Sequence, residues 1–169
     1  VAIGQTYKIA QHIHTQAIAA SRTLASVRGE PDDLKGTGQR NAHVIAIAPT
    51  ATNSIICNNV SPGGDPLYQN QYNHKTLSGS FKVRNPHLVA LVGESDTEFW
   101  KQVGADGGSV QNTNLPDNIK EVFKTATEID QSWVIQHYAV RQEFVCQGQS
   151  LNLWYLPTVT KAKLLADTI

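Results

Sequence analysis

The stretch Ala42-His43-Val44-Ile45-Ala46-Ile47-Ala48-Pro49-Thr50-Ala51-Thr52-Asn53-Ser54 decides the fold class. Its first seven residues are apolar except at His43, the composition of a strand buried on both faces, as strands of a parallel sheet are. Pro49 ends that strand because it has no backbone N–H to give to a ladder. The polar cluster from Thr50 to Ser54 then stands where a following helix begins, and a strand running into a helix is the unit of an α/β fold. A helix N-terminus leaves backbone N–H groups unpaired and carries partial positive charge. With hydroxyls at Thr50, Thr52 and Ser54 within one turn, the junction can hold an anion such as phosphate without Lys or Arg. The same hydroxyls can instead act only as caps. Position at the carboxyl end of a buried strand favours the ligand, because α/β folds collect ligands at that edge.

Working outward, Ile3, Tyr7, Ala10, His14, Ala17, Ser21 and Leu24 recur at spacings of three and four, which predicts an amphipathic helix stopped by Gly29 and Pro31. Asp32 to Asn41 reads as a polar surface loop. Downstream, Ser61 to Asn73 contains Pro62, Gly63, Gly64 and Pro66, so a long ordered loop is expected. A short extended piece at Leu77 to Val83 and helices near Pro86 to Gly93 and Asp96 to Gly104 follow. Asn114 caps the next predicted helix, with Pro116 and Asp117 in its first turn. The stripe Ile119, Val122, Ala126, Ile129, Trp133 and Val140 carries it unbroken to about Arg141. Ser150 to Leu156 reads as a strand, and a last helix opens at Pro157 and Thr158 and runs to Ile169.

At 169 residues the chain is read as one domain, 1–169, or a piece of a larger one. Fourteen Lys plus Arg balance fourteen Asp plus Glu, so no global field exists to hold nucleic acid or an anionic membrane. With 40% apolar and 17% charged residues, the chain is not disordered, and the shortage of charge implies that other protein covers part of its surface. No apolar run approaches roughly 18 residues and no signal peptide opens the chain, so a soluble protein is expected. Its start at Val1 rather than Met suggests a beginning inside a longer polypeptide.

The remaining chemistry-bearing residues point to structure. His12 and His14 face nearly opposite sides of a helix, so one is expected exposed and one packed. The other histidines lack ligand spacing, and no metal site is expected on this chain. Cys57 and Cys146 sit in apolar settings, form no disulfide framework, and read as small buried hydrophobes in a reduced, cytoplasmic compartment. Gly63-Gly64 and Gly107-Gly108 read as turn formers.

Several separate motifs carry a family likeness. Asn41 to Ser54, Asn58-Asn59, Asp65-Pro66, Thr76-Leu77-Ser78-Gly79-Ser80-Phe81, Asn85-Pro86-His87-Leu88 and Gln147-Gly148-Gln149-Ser150-Leu151-Asn152 together resemble the catalytic large subunit of class I ribonucleotide reductases. The likeness runs in order from the helix of Gln11 to Arg28, through Arg141-Gln142, to Leu151. It implies that the chain is a C-terminal, incomplete portion of that family's ten-stranded α/β barrel. It implies too that Pro49, Thr50, Ala51, Thr52, Asn53 and Ser54 hold the phosphates of a ribonucleoside diphosphate substrate.

In the family a cysteine thiyl radical takes the 3′ hydrogen, the 2′ hydroxyl leaves as water, and a cysteine pair supplies electrons. Neither Cys57 nor Cys146 matches those cysteines, so no catalytic residue is expected on this chain. The partners implied are the remaining parts of the large subunit and a radical-generating small subunit. A radical-generating metal cofactor is expected in that small subunit, and none on this chain. The segment from Gly29 to Gly38 is shorter than in many relatives, and Ser61-Pro62-Gly63-Gly64 replaces a more acidic stretch. Two other readings stay open: a non-catalytic phosphate-binding or structural barrel fragment, and the adenosylcobalamin-dependent reductases, which usually carry Gly where Ala51 stands.

Overall fold

A computed structural model describes residues 1–58, 60–77 and 79–169, so Asn59 and Ser78 of the motifs above lie outside the described residues. The chain divides into two compact units, one of residues 1–49 with 132–151, the other of residues 50–131 with 152–169.

The first unit is built on α1, Ala2–Arg28. Its inward stripe holds Ile3, Thr6, Ala10, His14, Ala17, Ser21 and Ala25, close to the periodicity read from sequence, with His14 half-buried and His12 exposed as expected. Gly29 ends the helix at φ 75, a conformation that glycine adopts without steric cost. Ser21 is 2% exposed, and its Oγ accepts from the backbone N–H groups of Arg40 and Asn41, which pins the end of the loop to the helix. The Oγ1 of Thr6 lies 2.8 Å from His137 Nδ1 and ties α1 to α6, Gln131–Gln142. Tyr7 and Phe144 pack edge to face at 4.9 Å.

The segment Ala42–Ala48 does not form the expected strand buried on both faces. It is extended, exposed or half-buried throughout, and makes one parallel bridge, Ile47 to Gln149. Gln147 donates to Ile45 O and Ser150 to Ile47 O, while Ile47 donates to Gly148 O. The reason is the partner set. One flank meets three residues of a single short segment and no second neighbour among the described residues, and two backbone groups at its start turn to the Cys146 sulfur instead. Ile45, Ile47, Ile9, Ile13 and Phe144 line an open apolar groove of about 340 Å³ in this unit.

The second unit begins with α2, Ala51–Ile56. The loop after it ends at residue 70, three residues earlier than expected, because Gln71–Thr76 forms β1 and pairs antiparallel with β2, Gly79–Arg84. This hairpin is the one regular ladder among the described residues. Its first strand escaped the sequence reading because Gln71-Tyr72-Asn73-His74-Lys75 has little apolar alternation.

Helices α3, Pro86–Val92, and α4, Thr97–Ala105, fall where expected. Asn85 caps α3 by accepting from His87 N, with Pro86 at its first turn, and Asp96 caps α4 through Phe99 N. Leu88, Trp100, Val103 and Val110 form the core, against which Phe99, Leu115 and Phe123 pack.

The long helix expected from Asn114 to Arg141 is two helices, α5, Asp117–Val122, capped at Pro116 rather than Asn114, and α6. The backbone between them is bonded elsewhere. Phe123 O accepts from Asn70 Nδ2, Ala126 N donates to Leu67 O, and the carbonyls of Ala126 and Ile129 accept from Gln131 Nε2. Ala126 is fully buried within the break, so the apolar stripe reports burial and not helical continuity.

Ser150 to Leu156 is likewise not a strand. Beyond Ser150, whose N–H goes to Ile47 O, side chains serve as partners: Asn152 N and Nδ2 reach the Asp65 carboxylate, and Trp154 N donates to Gln131 Oε1. Trp154 packs on Tyr68 at 4.8 Å. The last helix, α7, is Lys161–Thr168, capped by Thr160 and starting later than Pro157. Tyr155 donates to Asp167, which also takes a hydrogen bond from Lys163. The Lys163 bond, then that of Tyr155, holds the Asp167 carboxyl below its usual range, and burial first raises the Tyr155 phenol.

Candidate functional site

The turn from Pro49 into α2 carries the residues singled out in the sequence. The chain reverses at Thr50, which takes the left-handed conformation at φ 44, ψ 28. A β-branched residue is rare there. Thr50 Oγ1 accepts from Gly63 N at 2.7 Å, so the strained residue anchors the loop that returns across the turn. Its side chain does not cap the helix.

The first intrahelical donor of α2 is Ser54 N, to Thr50 O at 2.9 Å. The N–H groups of Ala51, Thr52 and Asn53 precede it and have no acceptor within the helix. Ala51, Thr52 and Asn53 are exposed, as is Pro49, and Thr50 is half-buried. Ser54 faces the other way: it is 7% exposed and its hydroxyl donates to Ala51 O at 2.7 Å. The structure therefore leaves three backbone N–H groups without a helical acceptor on exposed residues, while the Thr50 hydroxyl is engaged by Gly63 N. Backbone N–H groups at a helix start can donate to anionic oxygen.

Nearby, Asp65 holds Asn152, and Asn85 holds Asn70 through Nδ2 to Oδ1 at 2.9 Å, so three of the quoted motifs are structural joints. Gly63, Gly107 and Gly108 adopt positive φ in turns, as their sequence settings suggest.

The cysteines depart from expectation, for both are exposed. Cys57 caps the C-terminus of α2. Cys146 Sγ accepts from Val44 N at 3.1 Å and Ile45 N at 3.2 Å. These bonds, that of Ile45 foremost, favour the thiolate and lower the thiol pKa. Flanking Phe144 and Val145 suggested a buried thiol; Val145 is buried, and the next residue turns outward. Nothing in the local sequence signalled the left-handed Thr50. Among the described residues no group of His, Cys, Asp and Glu is arranged to hold a metal ion. No helix among them is long and apolar enough to cross a membrane.

The family described as ribonucleotide reductase, barrel domain, matches residues 10–169. The chain is similar to the ribonucleoside-diphosphate reductase large subunit of Invertebrate iridescent virus 6, 44% identical over 151 residues, which cover 83% of this chain and 16% of the relative. With the large subunit of Invertebrate iridescent virus 3 it shares 39% identity over 157 residues, covering 89% of this chain and 25% of that one. Its structure resembles the Actinobacillus ureae class Id ribonucleotide reductase alpha subunit with a TM-score of 0.88 at 37% identity, over 98% of this chain and 31% of that one. The chain thus spans well under half the length of these relatives. Matched along nearly all of its own length, it belongs to the ribonucleotide reductase barrel-domain family.

Proposed function

We propose that this chain is the part of a ribonucleoside-diphosphate reductase large subunit that binds the substrate's phosphates, within an assembly that reduces ribonucleotides to 2′-deoxyribonucleotides. The supporting observation is the turn at Thr50 to Asn53, where the N–H groups of Ala51, Thr52 and Asn53 have no helical acceptor and all three residues are exposed. Phosphate oxygens of a ribonucleoside diphosphate accept from those donors, and the partial charge of the helix end stabilises them. Pro49 delivers the chain to the turn, Thr50 shapes it, and Ser54 locks the first helical residue from behind.

In this reading residues 1–169 are a C-terminal segment of a ten-stranded α/β barrel, working in the cytoplasm. The apolar groove beside Ile45 and Ile47 is covered by the rest of the large subunit. The thiyl and redox cysteines come from that complement, and a metal-bearing small subunit generates the radical. Ala51 in place of Gly favours this class over the adenosylcobalamin-dependent one.

Thr52 tests the turn. Thr52→Glu sets a carboxylate against the phosphates and should weaken ribonucleoside diphosphate binding strongly with folding little changed, since Glu suits a helix start. Thr52→Val removes one donor to a charged group, worth about 1.5–3 kcal/mol, or roughly one to two decades in affinity. Calorimetric titration of the diphosphate into the assembled subunit reads both. Unchanged affinity in Thr52→Glu removes the turn from the proposal.

A further inference from the structure

The cleft between the β-hairpin and α4 gathers Lys82, Arg84 and Lys101, and none of its lining residues is a carboxylate. In a chain with 14 positive and 14 negative side chains, that is a local excess of one sign. Lys82 and Arg84 are two apart on β2 and share a face. Across the ladder they oppose Asn73 and Gln71.

Arg84 is held in place. Its Nε donates to Gln71 Oε1 at 3.0 Å, its Nη1 to Glu94 O at 3.0 Å, and the guanidinium lies 4.5 Å from the Trp100 ring centre. Gln71 is itself buried, with Nε2 donating to Trp100 O at 2.9 Å. Gly104 allows this approach: a Cβ there would stand 2.8 Å from Gln71 Nε2. Lys82 and Lys101 are exposed, and the ion pairs among the described residues use neither. Glu98, one turn before Lys101, lines the adjoining groove and makes no ion pair with it.

The cleft measures about 590 Å³, within the range of small-molecule sites. A fixed guanidinium fork flanked by two flexible ammonium groups matches an anion with several charges on adjacent groups. A single carboxylate would satisfy only one of the three. We infer that this cleft binds the polyphosphate group of a small ligand. The inference stands apart from the phosphate turn at Thr50 and does not depend on it.

Titration calorimetry of the 169-residue chain with inorganic tripolyphosphate tests it. One saturable event is expected that weakens at least tenfold in Lys82→Gln/Lys101→Gln, two exposed changes that should leave the circular dichroism spectrum intact. Arg84→Lys should weaken it similarly, and the event should persist in Thr52→Glu. Tighter binding of a nucleoside triphosphate assigns an organic source for the polyphosphate, and equal binding an inorganic one. Absence of saturable binding overturns the inference. So does an event untouched by the double lysine variant, one abolished by Thr52→Glu, or a preference for an acidic peptide over both phosphates.

Discussion

Cys146 shows how far backbone contacts can redirect a residue. The sequence places it among apolar neighbours, yet its sulfur is exposed and takes two N–H groups from the segment that leads to the turn at Thr50. Its pKa is lowered, so the folded state favours the thiolate more than the unfolded chain does. The stability this contributes is present above the unfolded thiol value, about 8.5, and is lost as pH falls through the folded one. Alkylation of the native chain by iodoacetamide should therefore reach half its maximal rate below about pH 8.5 at Cys146. In denaturant the profile should return to the ordinary thiol position. Identical profiles in the two states would refute the role given to Val44 and Ile45. Replacement by Ser keeps a backbone acceptor and should leave the fold intact.

The α1–α6 contact carries a pH dependence of its own. Burial first, then the charge of Arg141, holds His137 below its ordinary value of 6.5, and Thr6 stands against its Nδ1. A base with a depressed folded pKa contributes stability that is complete above the unfolded value, near 6.5, and is lost as pH falls through the folded value. The urea midpoint should drop between pH 7.5 and pH 5.5, and His137→Gln should flatten part of that fall by removing the titrating ring. An equal fall in the variant assigns the acid limb to other groups.

Helices were legible in the sequence where caps and apolar period agree, as at α1, α3 and α4. They were misread where a buried stripe crosses a backbone whose partners are distant, as between Phe123 and Gln131. Asn70 and Gln131 supply those partners, and neither can be matched to a carbonyl from sequence order alone. The strands at Ala42 and Ser150 were misread for a related reason. An apolar run announces that it will be buried, but a ladder also needs neighbours, and these two segments meet at one bridge. The helix start after Pro49 was legible in the polar cluster from Thr50 to Ser54, the strand before it was not, and the left-handed Thr50 answers to a loop contact with Gly63 that sequence order does not reveal.

Across the whole molecule, family membership and exposed apolar side chains point the same way. Ile9 and Ile13 on α1 are 59% and 52% exposed, and Leu165 on α7 is 59% exposed, in a chain with few charges to balance them. Such surface is normally covered by other protein. The chain alone should show no nucleotide reduction. Mixed with polypeptides carrying the remainder of the large subunit and with a radical-generating small subunit, it should support deoxyribonucleotide formation. Turnover by the chain alone would place the redox cysteines here after all.

The interleaving of the two units also matters during synthesis. Residues 1–49 leave the ribosome long before residues 132–151, which complete the same unit. At about 5–20 residues per second, α1 waits on the order of five to twenty seconds for His137 and Phe144. During that interval the intervening residues 50–131 have emerged, so the nascent chain must loop out one unit before it can close the other. Vectorial translation thus imposes an order on assembly, and the apolar face of α1 is open to chaperone capture until residues 132–151 have emerged.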